Sequence, residues 1–142
     1  MTELVLPNDT NQLGNLLGGR LMHLVDIAAA IAAAKHSSRV CVTASVDEMN
    51  FLGPVKLGQV VRLYASVNRA FTTSMEVGVK VTAENPITGE LTHTNSAYLV
   101  YVALDENGKP SSVPELVLET DEELRRFEEA KERQAHRLSR RK

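Results

Sequence analysis

The residues best suited to chemistry lie in one stretch near the N-terminus, NDTNQLGNLLGGRLMHLVD (8–26). Gly18 and Gly19 stand at the predicted start of a helix, where backbone N–H groups have no partner in the helix and carry the positive end of its dipole. Such donors can stabilise an oxyanion, and the side-chain amide of Asn11 can add another donor. Asp26, two turns farther on, can serve as a general base or as a nucleophile.

Asp26 is the one carboxylate in the apolar run 21–34. Because an unpaired buried charge costs several kcal/mol, its presence there needs a reason. Three interpretations are open: this face of the helix is not buried, the carboxylate has a structural partner such as His23, or it does chemistry. The glycine pair has a simpler alternative too, which is close packing of the helix.

Spacing limits how these groups can cooperate. Gly18 and Asp26 are separated by about 12 Å of helix rise, less about 2–3 Å because side chains lean toward the N-terminus. That separation is too large for both to contact one carbonyl group. If they cooperate, they come from two chains whose helices run antiparallel across a dimer. The run 21–34 predicts a dimer independently, because it is apolar nearly all round and one sheet cannot cover it.

The rest of the chain supplies the elements that position this helix, which is predicted to end near Lys35. Beyond it the apolar period changes from about 3.6 to 2. Stretches rich in β-branched residues predict long strands over 40–51, 59–71, 73–84 and 92–104. A short strand around Leu4–Leu6 would complete the sheet. The order predicts an α+β fold, an antiparallel sheet curved around one buried helix.

A charged segment, 119–142, follows a domain predicted to span 1–118. Thr120 and Glu123 have the spacing of a capping box, and acids precede bases, so this segment is predicted to be an added C-terminal helix. Its apolar stripe is thin, and we expect a solvated helix that packs lightly on a neighbour. An alternative is that its basic residues contact phosphates: Arg137, Arg140, Arg141 and Lys142.

Composition argues against several classes of function. The 142 residues suit one domain, and a net charge of −2 with 4 % aromatic residues gives no basis for nucleic-acid binding. Cys41, the only cysteine, excludes an intrachain disulfide and is predicted to be a buried, inert thiol. The four histidines are scattered, so no metal site is expected. The run 21–34 would span only about 21 Å, and no secretion signal is evident, so we expect a cytoplasmic protein without a membrane partner.

Most of the chain, 8–114, resembles the hotdog-fold acyl-CoA thioesterases of the cytosolic acyl-CoA hydrolase type, the group that includes the bacterial YciA-like enzymes. The matching motifs are N-D-T-N-x-x-G-N-x-x-G-G (8–19), V-D (25–26), V-T-A-S-V-D-x-M-x-F-x-x-P-V-x-x-G (42–58), T-T-S-M (72–75) and V-A-L-D-x-x-G-K-P (102–110). The resemblance implies a hotdog fold, dimers with active sites at their interface, often trimers of dimers, and hydrolysis of acyl-coenzyme A. No cofactor is implied, since coenzyme A belongs to the substrate.

The resemblance also implies roles for single residues. The catalytic aspartate of the family maps onto Asp26, the asparagine of the opening loop onto Asn11, and the oxyanion amide onto Gly18 or Gly19. Two departures leave the acyl-chain preference open. Leu17 stands where many relatives have histidine, and 27–28 is Ile-Ala where many have an acidic or glycine residue.

Thr73 and Ser74 are expected to line the channel for pantetheine, where their hydroxyls can hydrogen-bond its amides, with ordinary exposed strand positions as the alternative. The nucleotide end of coenzyme A needs cations, and the sequence does not rank the candidates, Arg20, Arg62, Arg69 and Lys80.

A rival function is a non-catalytic acyl-CoA-binding regulator on the same fold. A hotdog dehydratase is disfavoured, because it needs a histidine base and residues 7–19 contain none.

Overall fold

A computed structural model of the chain describes residues 1–140, which form one five-stranded sheet and two long helices. The elements are β1 (Thr2–Leu4), a 3₁₀ turn (Pro7–Asp9), α1 (Gly18–Ser37), β2 (Val40–Phe51), β3 (Val60–Ala70), β4 (Ser74–Glu84), β5 (Leu91–Leu104) and α2 (Asp121–Ser139). The predicted α+β order is confirmed, and each of the four long strands lies within one residue of its predicted ends.

The sheet is antiparallel throughout, with strand order β1-β3-β4-β5-β2. The short N-terminal strand predicted around Leu4–Leu6 is present, but it begins two residues earlier, because β1 pairs with β3 at Thr2–Leu4. The chain leaves the sheet before Pro7: the N–H of Leu6 donates to the Asp9 carboxylate at 3.0 Å instead of to β3. This turn directs the chain into the loop that precedes α1.

Helix α1 packs across the inner face of the sheet, where strand alternation places the apolar side chains of β4 and β5. Its buried positions recur at helical spacing and form the core with those strands: Leu21, Leu24, Val25, Ala28, Ala29 and Ala33. The helix ends at Ser37, two residues beyond the predicted end, because the Ser37 hydroxyl donates to the carbonyl of Ala33 and Ser38 adopts a left-handed conformation.

An apolar strip stays uncovered on one side of the molecule. We call it the α1–β2 face, and it consists of Ile27, Ile31, Val40, Val42 and Val46, which are 36–74 % exposed. Strand β2 is an edge strand, so its outer backbone groups are also unpaired by the sheet. Within residues 1–140 no helix is both long enough and apolar enough to span a membrane.

Helix α2 lies on the opposite, outer face of the sheet and is held there mainly by arginines. Arg133 donates to both oxygens of the fully buried Glu76 in β4, at 2.6 and 2.9 Å, and Arg137 pairs with Asp47 in β2. The Arg69 guanidinium stands 3.8 Å over the ring of Phe127. The helix is solvated and packs lightly, as expected, since Ala130 is the one buried residue in Asp121–Ser139, and ion pairs and cation–π contacts supplement the thin apolar stripe.

These contacts also bear on the alternative that the basic residues at the end of α2 contact phosphates. Arg137 is paired with Asp47, and its side chain is only 11 % exposed, which leaves it unsuited to a phosphate in solvent. Arg140 is exposed at the end of the helix. Arg141 and Lys142, the remaining members of that cluster, lie outside the described residues.

Candidate active site

Asp26 lies in the middle of α1 and turns its carboxylate toward the junction of β2 and β5. The Thr43 hydroxyl donates to Asp26 Oδ1 at 2.8 Å. The Tyr101 hydroxyl donates to the same oxygen at 2.5 Å and also lies 2.9 Å from the backbone carbonyl oxygen of Asp26. Thr43 and Tyr101 are register partners, so one rung of the sheet supplies both donors.

The two oxygens of this carboxylate therefore have different surroundings. Oδ1 is held by two hydroxyls, whereas Oδ2 has no hydrogen-bond partner in the described part of the chain. The pKa of the Tyr101 hydroxyl is raised above its ordinary value of about 10, mainly because the ring is buried and also because of its hydrogen bond to Asp26. Tyr101 thus stays protonated at neutral pH and keeps donating, which fixes the orientation of a carboxylate whose other oxygen remains available.

The partner of Asp26 is thus the Tyr101–Thr43 pair, and the His23 alternative is wrong: His23 is exposed and forms no ion pair with Asp26 in the described residues. Sequence reasoning missed both hydroxyls, which lie 17 and 75 residues from Asp26. The available signal was that Thr43 follows the apolar residues 40–42 and that Tyr101 lies within the apolar run 97–104.

Asn11 organises the loop ahead of α1. Its side-chain oxygen accepts hydrogen bonds from the backbone N–H groups of Leu13, at 2.9 Å, and Asn15, at 3.2 Å. Because backbone N–H groups only donate, the oxygen of the amide must face the loop and the Nδ2 group must face away from it. Asn11 is exposed, so Nδ2 is presented to solvent as a hydrogen-bond donor.

The start of α1 presents further donors. Leu17 is the N-cap and supplies no side-chain hydrogen bond, and the first helical bond runs from the N–H of Leu21 to the carbonyl of Leu17. The N–H groups of Gly18 and Gly19 have no partner within residues 1–140. No atom lies within 4 Å of where a Cβ would stand at either glycine, so packing inside the chain does not require them. They leave the helix start open to a neighbouring group.

These residues form two separate groups within one chain. Asn11 and the glycine pair lie at the N-terminus of α1, and Asp26 lies about 12 Å along the helix axis. Ser74 does not join Asp26 in its own chain, because it pairs with Val102, the neighbour of Tyr101, and must point to the other face of the sheet. Thr73 lies in the turn before β4, where its carbonyl accepts from the N–H of Ala103 at 3.0 Å.

The four cationic side chains that were candidates for the nucleotide end of coenzyme A differ in their partners and exposure. Arg20 pairs with Asp9, and Arg62 with Glu84, at 3.2 and 3.4 Å. The guanidinium of Arg69 is engaged by Phe127, as described above. Lys80 is exposed and forms no ion pair among the described residues, which leaves it the most accessible of the four.

Potential metal ligands and the single thiol give no competing site. Within residues 1–140 no three His, Cys, Asp or Glu side chains are grouped to hold a metal ion. Cys41 is half-buried, where the sequence predicted full burial, and its sulfur lies 3.3 Å from the Ser37 hydroxyl. These contacts at the end of α1 indicate a structural role for Cys41.

A long helix packed across one face of an antiparallel sheet is the architecture of the hotdog fold. The sequence model of the thioesterase superfamily matches residues 13–90, and the chain belongs to this family. The hotdog fold and enzyme class expected from the sequence are thereby confirmed.

Curated relatives match nearly the whole chain. It is 43 % identical to an uncharacterized acyl-CoA thioester hydrolase, YkhA of Bacillus subtilis, over 99 % of this chain and 82 % of the relative. It is 38 % identical to the cytosolic acyl coenzyme A thioester hydrolase of Mus musculus, over 94 % of this chain and 35 % of that longer protein.

Solved structures also match nearly the whole chain. An apo-hexameric acyl-CoA thioesterase superposes with a TM-score of 0.95 at 42 % identity, covering 99 % of this chain and 90 % of that one. An acyl-CoA hydrolase from Staphylococcus aureus, in complex with butyryl coenzyme A, coenzyme A and coenzyme A disulfide, gives 0.93 at 38 % identity, covering 99 % and 86 %.

Alanine variants of that S. aureus hydrolase have been solved for an asparagine, an aspartate and a threonine. The asparagine precedes the aspartate by 15 residues, and the threonine follows it by 17. Asn11, Asp26 and Thr43 have the same residue types at the same separations.

Proposed function

We propose that this chain hydrolyses the thioester of acyl-coenzyme A to a free fatty acid and coenzyme A, with catalytic groups drawn from two chains. The observation that carries the proposal is the carboxylate of Asp26, with Oδ1 anchored by two hydroxyls and Oδ2 free. Family membership and the names of the relatives support the reaction. The matching separations of Asn11, Asp26 and Thr43 support the choice of residues.

In the proposed mechanism, Asp26 Oδ2 accepts a proton from a water molecule as that water attacks the carbonyl carbon of the thioester. The carbonyl oxygen becomes an oxyanion, which the N–H groups of Gly18 and Gly19 and the Nδ2 group of Asn11 stabilise as donors. Collapse of the tetrahedral intermediate breaks the C–S bond, and the sulfur of coenzyme A takes up the proton held by Asp26.

Direct attack by Asp26 is the alternative route. Oδ2 would then form a mixed anhydride with the acyl group and expel the thiolate, and water would hydrolyse the anhydride in a second step. We favour the base role. Label in the Asp26 carboxylate after a single turnover in ¹⁸O-labelled water would show the anhydride route, because the base route places the label only in the free acid.

The second chain is needed because the donors and Asp26 lie about 12 Å apart in one chain. The α1–β2 face supplies an apolar surface and an unpaired strand edge for a second copy to cover. An antiparallel pair of α1 helices would bring the start of one near Asp26 of the other. We propose a homodimer for this reason, and the hexameric relatives support its assembly into a trimer of dimers.

The remaining parts of the proposal concern the substrate and its setting. Ser74 and its neighbour Thr73 are proposed to contact pantetheine bound to a site of another chain, since Ser74 faces away from its own Asp26. No cofactor is invoked, because coenzyme A is part of the substrate. A cytoplasmic location is proposed from the cytosolic relatives.

The test is a panel of acyl-coenzyme A substrates of increasing chain length, assayed by a reagent that reports the released thiol. We expect turnover of at least one chain-length class by the parent protein and loss of that turnover in Asp26→Asn. Saturable binding of acyl-coenzyme A without thiol release would contradict the proposal and support the acyl-CoA-binding regulator instead.

A further inference from the structure

The loop ahead of α1 has a defined internal shape. Residues 10–16 form a small hairpin, which we call the Asn11 hairpin, and the N–H of Asn11 donates to the Asn15 carbonyl across it at 2.9 Å. The returning arm is tied to the segment after β2, since the N–H of Leu16 donates to the Val55 carbonyl at 2.7 Å. The other arm carries Asn11 and starts at the base of the hairpin. The contacts that fix this base therefore fix where Asn11 Nδ2 points.

Asp9 stands at the base of the Asn11 hairpin and joins it to two other parts of the chain. Its backbone carbonyl accepts from the N–H of Leu17, the N-cap of α1, at 2.8 Å. Its carboxylate accepts from the N–H of Leu6 through Oδ2, at 3.0 Å, and Oδ1 lies 3.2 Å from Arg20 Nε in the first turn of α1. One residue thus links the chain that leaves β1, the hairpin and the helix.

Arg20 stands where the helix dipole disfavours a cation. It lies in the first turn of α1, which contains no acidic residue, and the positive end of the dipole is at this end of the helix. Pairing with Asp9 offsets the repulsion, but the two side chains are 38 and 19 % exposed, and such surface pairs add little to stability. Folding of α1 therefore does not explain the pair, whereas a need to hold the hairpin against the helix does.

We propose that the Asp9–Arg20 pair positions the oxyanion donors of the hydrolytic site, an inference that rests on the proposed function. The pair holds the base of the Asn11 hairpin against the first turn of α1. Asn11 Nδ2 and the N–H groups of Gly18 and Gly19 can then converge on one oxygen. Pairing also cancels the charge of the Asp9 carboxylate, which would otherwise repel the oxyanion. Both side chains act through the donors, so they are positioning residues.

Steady-state thiol release from acyl-coenzyme A by Asp9→Asn and Arg20→Met tests this role. We expect each change to lower kcat about tenfold with KM nearly unchanged, because displaced donors weaken an interaction that is made in the transition state. The double variant should lose no more than either single variant, since the two residues act as a unit. Arg20→Lys keeps a cation beside Asp9 and should retain most of kcat. The control, Glu106→Gln, removes a carboxylate from an exposed turn and should change neither constant.

Three results would overturn the proposal. If Arg20→Met raises KM with kcat unchanged, the arginine binds the substrate directly and its pair with Asp9 is incidental. If kcat stays within twofold of the parent in both single variants, the donors do not depend on the pair. We expect the midpoint of urea unfolding to stay at the parent value in both variants. A midpoint that falls together with kcat would show that the pair serves folding instead.

Hydrogen–deuterium exchange tests the pair without turnover. The segment 10–19, followed by mass spectrometry, should exchange faster in Asp9→Asn and in Arg20→Met than in the parent, and at the parent rate in Glu106→Gln. Unchanged exchange in both single variants would overturn the proposal, because the base of the hairpin would then be fixed without the pair. A parent protein without turnover would refute the proposed function, and faster exchange would still establish that the pair orders the Asn11 hairpin.

Discussion

Replacing Asp26 by asparagine separates chemistry from folding with one nearly isosteric change. The new amide side chain keeps an oxygen where Oδ1 accepts from Thr43 and Tyr101, so both hydrogen bonds survive in neutral form. Each loses the extra strength of a charged acceptor, about 1 kcal/mol apiece, and this loss is offset because a charge is no longer held in a half-buried site. We therefore expect the free energy of unfolding to stay within about 1 kcal/mol of the parent.

Turnover should respond very differently. Oδ2 becomes an NH₂ group, which has no basic electron pair to take a proton from water, and general-base catalysis is worth about 10²–10⁴ in rate. That range equals about 2.7–5.4 kcal/mol of transition-state stabilisation. The assay pairs urea unfolding with thiol release at saturating acyl-coenzyme A. Glu106→Gln, which removes a carboxylate from an exposed turn position, is the control and should change neither quantity.

Two results would refute this reasoning. If Asp26→Asn unfolds the protein, the carboxylate serves the packing of α1 against the Tyr101–Thr43 rung. If kcat stays within a few-fold of the parent, the base lies elsewhere. Loss of activity with stability retained is the result that assigns the chemistry to Asp26.

Three further changes test other parts of the account. Tyr101→Phe removes a donor to Asp26 Oδ1 and should lower kcat about tenfold. Because the pKa of this tyrosine is raised in the folded protein, the unfolded chain ionises first, and the parent should lose stability as pH rises above about 10. Thermal unfolding across pH should show a smaller loss in Tyr101→Phe. Arg133→Ala leaves the fully buried Glu76 without its cation and should cost about 3 kcal/mol in urea unfolding, whereas a loss below about 1 kcal/mol would show that water replaces the guanidinium. Ile31→Glu places a charge in the α1–β2 face and should give inactive lower-order species in sedimentation velocity, whereas an intact and active oligomer would move the interface elsewhere.

Local sequence was sufficient for the parts of the site that are local. The glycine pair, Asn11 and Asp26 lie within 16 consecutive residues, and helical spacing alone indicated that they could not converge in one chain. The strands followed from their period-2 pattern, and the antiparallel sheet followed from their order and short turns.

Two features depended on information that local patterns do not carry. Thr43 and Tyr101 meet Asp26 only because β2 and β5 are neighbours in one register, and no periodicity along either strand predicts that pairing. The position of α2 on the outer face of the sheet was not predicted, because apolar spacing indicates only packing against a hydrophobic core. This helix is instead held by Arg133 and Arg137, whose carboxylate partners lie 57 and 90 residues away.

The central claim is that one active site takes Asp26 from one chain and Asn11 with the helix start from another. The most direct measurement is the activity of dimers formed by mixing inactive Asp26→Asn chains with inactive Asn11→Ala chains, with mixed dimers verified by two different affinity tags. Each mixed dimer contains one site with both residues intact, so we predict recovery of about half the parent activity per dimer. Confirmed mixed dimers that stay inactive would contradict the account, since each site would then take both residues from a single chain.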